Sequence, residues 1–134
     1  MNTPDCATNA TKRILVVEDE LSIGNMCRRV LTREGYEVDI AVNGRVAQDM
    51  IEEKQFSLYL VDIRMPKMNG IELYQWLQKK YPQLSDRVIF TTGSVIGGDT
   101  MTFVEQSGRS LLPKPFTPNE LKVMVKEALK EVGK

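Results

Sequence analysis

Two periods of apolar spacing alternate along this chain. Short β-branched runs recur, and between them lie longer stretches whose apolar residues stand three and four apart. Arg13–Val17 reads as a strand buried on both faces. Ile23, Met26, Cys27, Val30 and Leu31 then predict a helix, with Gly35 just past its end, where a left-handed stop is favoured. Tyr36–Val42 is the second strand, and Asn43 caps a second helix with Val46, Ala47, Met50 and Ile51 inward. Ser57–Val61 is the third strand. A loop over Arg64–Gly70, carrying Pro66 and Gly70, opens a third helix with Leu73, Tyr74 and Leu77 inward, closed by Pro82. Arg87–Thr91 is the fourth strand. Gly97-Gly98 precedes a fourth helix whose apolar residues are Met101, Phe103 and Val104, and Ser110–Pro113 is the fifth strand. Thr117-Pro118-Asn119-Glu120 is a capping box with proline at the first helical position. The last helix follows with the stripe Leu121, Met124, Val125, Ala128, Leu129 and Val132. Five strands alternating with five helices predict an α/β fold, a parallel sheet covered on both faces.

In such a sheet the carboxyl ends of the strands share one edge, where open α/β sheets bind ligands. Four runs end there on reactive residues: Glu18 and Asp19, Asp62, Thr91 and Thr92, and Lys114 between two prolines. Glu18, Asp19 and Asp62 together would repel one another unless neutralised. A hard divalent cation resolves this, and Mg²⁺ suits a site with few carboxylates, several waters and a phosphate oxygen. Lys114 adds a second cation that can pair with Asp62 or with phosphate oxygens, and the Thr92 hydroxyl can donate to a phosphoryl oxygen. An aspartate beside Mg²⁺ and lysine can act as a nucleophile toward phosphorus.

Composition narrows the function further. Eighteen basic and eighteen acidic residues leave no net charge to draw the chain to nucleic acid, so no direct nucleic-acid partner is expected. The absence of histidine excludes His/Cys zinc sites and Ser-His-Asp triads. Cys6 lies in a polar N-terminal stretch and Cys27 on an apolar helix face, so Cys27 reads as a buried free thiol rather than part of a disulfide framework. No apolar run approaches the ~18 residues of a membrane span. The first dozen residues lack a signal-peptide core. The expected organisation is a disordered leader over 1–11 and one domain over 12–132, in the cytoplasm with no membrane partner.

Four segments carry a family resemblance: Val16-Val17-Glu18-Asp19-Glu20, Val61-Asp62-Ile63-Arg64-Met65-Pro66 with Gly70, Phe90-Thr91-Thr92-Gly93, and Pro113-Lys114-Pro115-Phe116. In their order and spacing they resemble the signature segments of two-component response-regulator receiver domains, over about Lys12 to Val132. The resemblance implies a flavodoxin-like doubly wound (βα)5 sandwich with a five-stranded sheet of order 2-1-3-4-5; that order comes from the family and not from periodicity. It implies Asp62 as phosphoacceptor, Asp19 as a direct Mg²⁺ ligand, Glu18 as a ligand through water, and the Arg64 backbone carbonyl as the remaining protein ligand. Thr92 and Lys114 would hold the phosphoryl group, with Gly93 small enough to let it approach. A cis Lys114-Pro115 peptide is also implied. The expected activity is a phosphorylation-dependent switch, fed by a sensor histidine kinase or a histidine phosphotransfer protein. It would act on a downstream protein through the loop after strand four and the fourth helix, and it would catalyse only its own phosphorylation and dephosphorylation.

The chain departs from the family at two positions. Leu111 stands where many receivers carry Tyr or Phe, so a switch must work through Ser94–Thr100 and the fourth helix; Glu18 replaces the commoner aspartate. Arg64 and Ser94 would flank the site mouth. Lys122, Lys126, Lys130 and Lys134 read as a solvated face, and Arg28, Arg29 and Arg33 as candidate docking residues. Two rivals are a pseudo-receiver that binds partners without phosphate and an aspartyl-nucleophile phosphohydrolase. The second lacks an aspartate two residues after Asp19, where Leu21 stands. A free-standing regulator, a receiver within a hybrid kinase, and a dimer all remain open at this level.

Overall fold

The computed structural model describes residues 12–65, 67–93 and 97–132. The expected leader with Cys6, and Pro66, Ser94 and Lys134, lie outside the described residues. The strands are β1 (Arg13–Val17), β2 (Glu37–Ala41), β3 (Leu58–Asp62), β4 (Val88–Thr92) and β5 (Ser110–Pro113). The helices are α1 (Leu21–Arg33), α2 (Gly44–Glu53), α3 (Gly70–Lys80), α4 (Pro82–Ser85), α5 (Gly98–Ser107) and α6 (Pro118–Val132). All strand pairs are parallel, in the order β2-β1-β3-β4-β5, which is the flavodoxin-like sheet that the resemblance implies.

Every residue of β3 and β4 is buried, because each has a strand on either side and helices over both faces. Period-two alternation divides their side chains between two apolar clusters. One holds Leu15, Val17, Tyr59, Val61 and Phe90 with Leu73, Tyr74 and Leu77 of α3. The other holds Ile14, Val16, Leu58, Leu60 and Ile89 with Cys27 and Leu31 of α1 and Leu121 and Val125 of α6. Cys27 is a buried free thiol, as expected.

Helix ends follow local rules. Gly35 takes φ +97° just beyond α1, the left-handed stop that its position predicts. Asn43 accepts the Val46 N–H at 2.9 Å. Thr117 and Glu120 form both halves of their capping box. Asn69 and Glu72 form a second such box at α3, a pair that the sequence reading passed over.

The structure corrects several expectations. Pro82 does not merely close α3: it occupies the first turn of a further four-residue helix, α4, where its missing N–H costs nothing. Strands β3 and β4 each run one residue further than predicted, because pairing continues through Asp62↔Thr91 and Thr92↔Pro113. Asp62 and Thr92 therefore stand on strands rather than loops. Val46, expected inward, is exposed, and so is Met101 of α5. Val46 lies off the face of α2 that buries Gly44, Ala47 and Ile51, and Met101 lies near the start of α5, in which Val104 is the buried residue. Val42 is likewise exposed, past the end of β2.

The connection from β3 to α3 is tightly seated. A methyl group on Gly70 would lie 2.9 Å from Cα of Ile63 and would also strike the Asp62 carbonyl oxygen. One on Gly44 would lie 2.6 Å from Cγ of Met68. Both contacts forbid any larger residue without movement of the loop. Replacing Gly70 with alanine should lower stability by about 1–3 kcal/mol, since the clash is with backbone that cannot rotate away. Urea denaturation of wild type and Gly70→Ala measures this, and equal midpoints would show that the loop yields freely.

Candidate functional site

The register of the sheet decides which side chains meet. Val17↔Val61, Asp62↔Thr91 and Thr92↔Pro113 bring the ends of β1, β3, β4 and β5 to one level. Glu18 follows β1 and donates its N–H to the Ala41 carbonyl at 2.9 Å. Lys114 follows β5 and donates its N–H to the Thr92 carbonyl at 2.8 Å. The Lys114-Pro115 peptide is cis. Helices α1, α2, α3, α5 and α6 each start beyond the carboxyl end of a strand at this edge.

Lys114 links two of the acids. Its Nζ lies 2.7 Å from Oε1 of Glu18 and 3.1 Å from Oδ2 of Asp62. The remaining carboxylate oxygens accept backbone amides: Glu18 Oε2 from Glu20 at 3.2 Å, and Asp62 Oδ1 from Arg64 at 3.1 Å. Glu18 is 2% exposed and Asp62 4% exposed, so water does little of this work. Asp19 is exposed, yet it offers a carboxylate oxygen within 4.8 Å of one from each of the other two acids. Thr92 is buried beside them. Gly93 keeps the approach open, since a methyl group there would sit 3.2 Å from Cδ of Lys114.

Burial dominates the electrostatics. It pushes the Glu18 carboxyl up to about 7; the hydrogen bond from Lys114 opposes this and the nearby Asp62 charge reinforces it. Burial pulls the Lys114 ammonium down, but hydrogen bonds to Glu18 and Asp62 outweigh it and hold that ammonium above its ordinary value. Burial, with Glu18 as the next contributor, pushes the Cys27 thiol up to about 12.

Three carboxylates against one ammonium leave a surplus of negative charge in a cleft of oxygen donors. The cluster is capable of coordinating a hard metal ion. The structure thus brings together Glu18, Asp19, Asp62 and Lys114, with Thr92 alongside and Arg64 contributing its amide. The two backbone amides that fix Glu18 and Asp62 were invisible to sequence reasoning, because any residue type supplies one. The direct Glu18–Lys114 pair was missed too, since nothing in spacing reveals which acid a lysine chooses.

Comparison with known proteins adds to this geometry. Residues 14–126 match the family model described as the response regulator receiver domain. The chain is 35% identical over 127 residues to a probable transcriptional regulator, ycf27, of Porphyra purpurea, a match covering 94% of this chain and 51% of that protein. The chain spans about half the length of the curated relatives it matches. A CheY-like response regulator receiver domain protein from Methanospirillum hungatei JF-1 is 34% identical, with a TM-score of 0.83 over 92% of this chain and 97% of that one. The response regulator protein TrrA from Thermotoga maritima, solved in complex with Mg²⁺-BeF, is 32% identical, with a TM-score of 0.75 over 87% of this chain and 98% of that one.

The raised Glu18 carboxyl makes a pH prediction for the metal-free protein. The folded state binds this proton more tightly than the unfolded state, whose value is near 4.5. The stability that Glu18 contributes is therefore fully present below about 4.5 and lost as pH rises through about 7. Relative to wild type, Glu18→Gln should gain stability between those values. Urea denaturation of both proteins in chelator, at several pH values across the window, reads the difference; a difference independent of pH contradicts the assignment.

Proposed function

The chain belongs to the response-regulator receiver domain family, and on that premise we propose that Asp62 accepts a phosphoryl group from a histidine kinase or histidine phosphotransfer protein, with Mg²⁺ as cofactor. Receiver domains are self-catalysing phosphoacceptors rather than turnover enzymes, and this chain carries the acidic cluster that such signalling requires. The observation that carries the reading is the buried Asp62 carboxylate, 3.1 Å from the Lys114 ammonium and within 4.8 Å of two further acids.

Glu18, Asp19, Asp62 and the Arg64 carbonyl would hold the Mg²⁺, which when bound neutralises charge on the carboxylates and on the transferring group. An Asp62 oxygen forms the new bond to phosphorus as the bond to the donor imidazole nitrogen breaks; the imidazole leaves with that electron pair and takes up a proton. Lys114 pairs with a phosphoryl oxygen, Thr92 donates its hydroxyl to another, and Gly93 leaves room for both. The Arg64 amide, already on Oδ1, keeps the carboxylate aligned.

The output is a change in a protein-binding surface formed by the β4–α5 connection and α5. Phe90 lies two residues before Thr92, and its ring meets Tyr74 at 5.4 Å in an edge-on contact. Tyr74 meets Phe103 of α5 at 5.8 Å. Movement at Thr92 therefore has a packed route to α5, and a two-state shift of that helix suits a switch. Among the described residues no helix is long and apolar enough to cross a membrane. A cytoplasmic site of action fits that fact and the kinase partner.

Incubation with acetyl phosphate, followed by intact mass, tests the chemistry. A gain of one phosphoryl group is expected with Mg²⁺, none in chelator, and none in Asp62→Asn. Lys114→Gln should slow the reaction by roughly a hundredfold, the usual cost of a lost charge-stabilising donor. Absence of a gain from both acetyl phosphate and a cognate donor would favour a receiver that only binds partners.

A further inference from the structure

Lys114 makes its shorter contact with Glu18, at 2.7 Å, and its longer one with Asp62, at 3.1 Å. The preference has a structural basis. Glu18 follows β1, an interior strand paired on both sides, and its second oxygen is fixed by the Glu20 amide, so its side chain is aimed before any cation arrives. Its 2% exposure leaves no room for water to replace the ammonium as a partner. An aspartate here would be one methylene shorter, and could not keep both the Glu20 amide and Lys114 at these distances.

We infer that Glu18 is a latch on Lys114. In the metal-free protein Glu18 shares the ammonium with Asp62 and so holds it back from the phosphoacceptor. The inference rests on the reading above, in which this cluster takes Mg²⁺ and Lys114 serves the phosphoryl group. As the charge of Glu18 turns to a cation, its pair with Lys114 weakens, and Lys114 becomes free to serve Asp62. Linkage makes the coupling reciprocal: what the cation takes from the latch, the latch takes from cation affinity. Glu18 is thus a positioning residue that sets when Lys114 is available, beyond any role as a ligand.

The test is a cycle of Mg²⁺ titrations by calorimetry on the full chain, starting from chelator-treated wild type, Glu18→Asp, Lys114→Gln and the double variant. Amide spectra confirm that each is folded. Glu18→Asp keeps the charge and removes the reach, so it should bind Mg²⁺ roughly three- to tenfold more tightly than wild type, the scale of one charge-assisted contact. In the Lys114→Gln background there is no latch to open, and the same change should bring no gain. Unchanged or weaker affinity in Glu18→Asp overturns the inference, as does an equal gain in both backgrounds, which would make it an effect of ligand geometry alone. Absence of Mg²⁺ binding in all four proteins overturns the cofactor reading itself, a separate failure from the loss of coupling.

Discussion

Two buried carboxylates sharing one ammonium, with a third and exposed carboxylate alongside, is the constraint around which this molecule is arranged. Glu18 and Asp62 are almost wholly out of water, and two like charges so placed are unfavourable unless each oxygen has a partner. Each has one: Lys114 and Glu20 for Glu18, Lys114 and Arg64 for Asp62. The remaining imbalance, with Asp19 alongside, is affinity held ready for a hard cation. Only a parallel sheet delivers these groups together, because it alone turns every strand's carboxyl end to the same side.

The far end of the loop after Asp62 is packed against the fold. Gly70 lies against the Asp62 and Ile63 backbone and donates its N–H to the Ile63 carbonyl at 3.0 Å. Met68 is pressed onto Gly44 at the start of α2, and Asn69 caps α3. Lys67 takes φ +67°, a left-handed conformation that a side chain ordinarily disfavours. A loop so anchored at its far end keeps Arg64 over Asp62, and position rather than acidity alone is what phosphoryl transfer needs.

Away from the charges, aromatic packing joins the site to the surface that would report its state. Tyr74 of α3 stands edge-on to both Phe90 of β4 and Phe103 of α5. Leu111 is half-buried against the same cluster. With leucine on β5, the aromatic bulk of this region comes from α3, β4 and α5. A rearrangement would then pass through ring contacts across helices, not through a ring swinging on the edge strand. Contact of this kind is intolerant of small shifts, which makes it suited to a response with two positions.

Much of this was legible in the chain. Period-two runs, period-three-and-four stripes and the caps at Asn43 and Thr117 were enough to place strands and helices, because backbone hydrogen bonding and apolar burial act over a few residues. The acids, the threonine and the lysine were likewise visible as strand endings. What only the tertiary structure decided depends on the space between elements. Val46 faces outward because it lies off the buried face of α2, and Pro82 opens α4 because a further turn fits there. Register settled that Asp62 and Thr92 stand on strands. Above all, Lys114 lies closer to Glu18 than to Asp62. That choice is made by fractions of an ångström between β1, β3 and β5, and sequence spacing carries no measure of distance between strands that the chain visits a hundred residues apart.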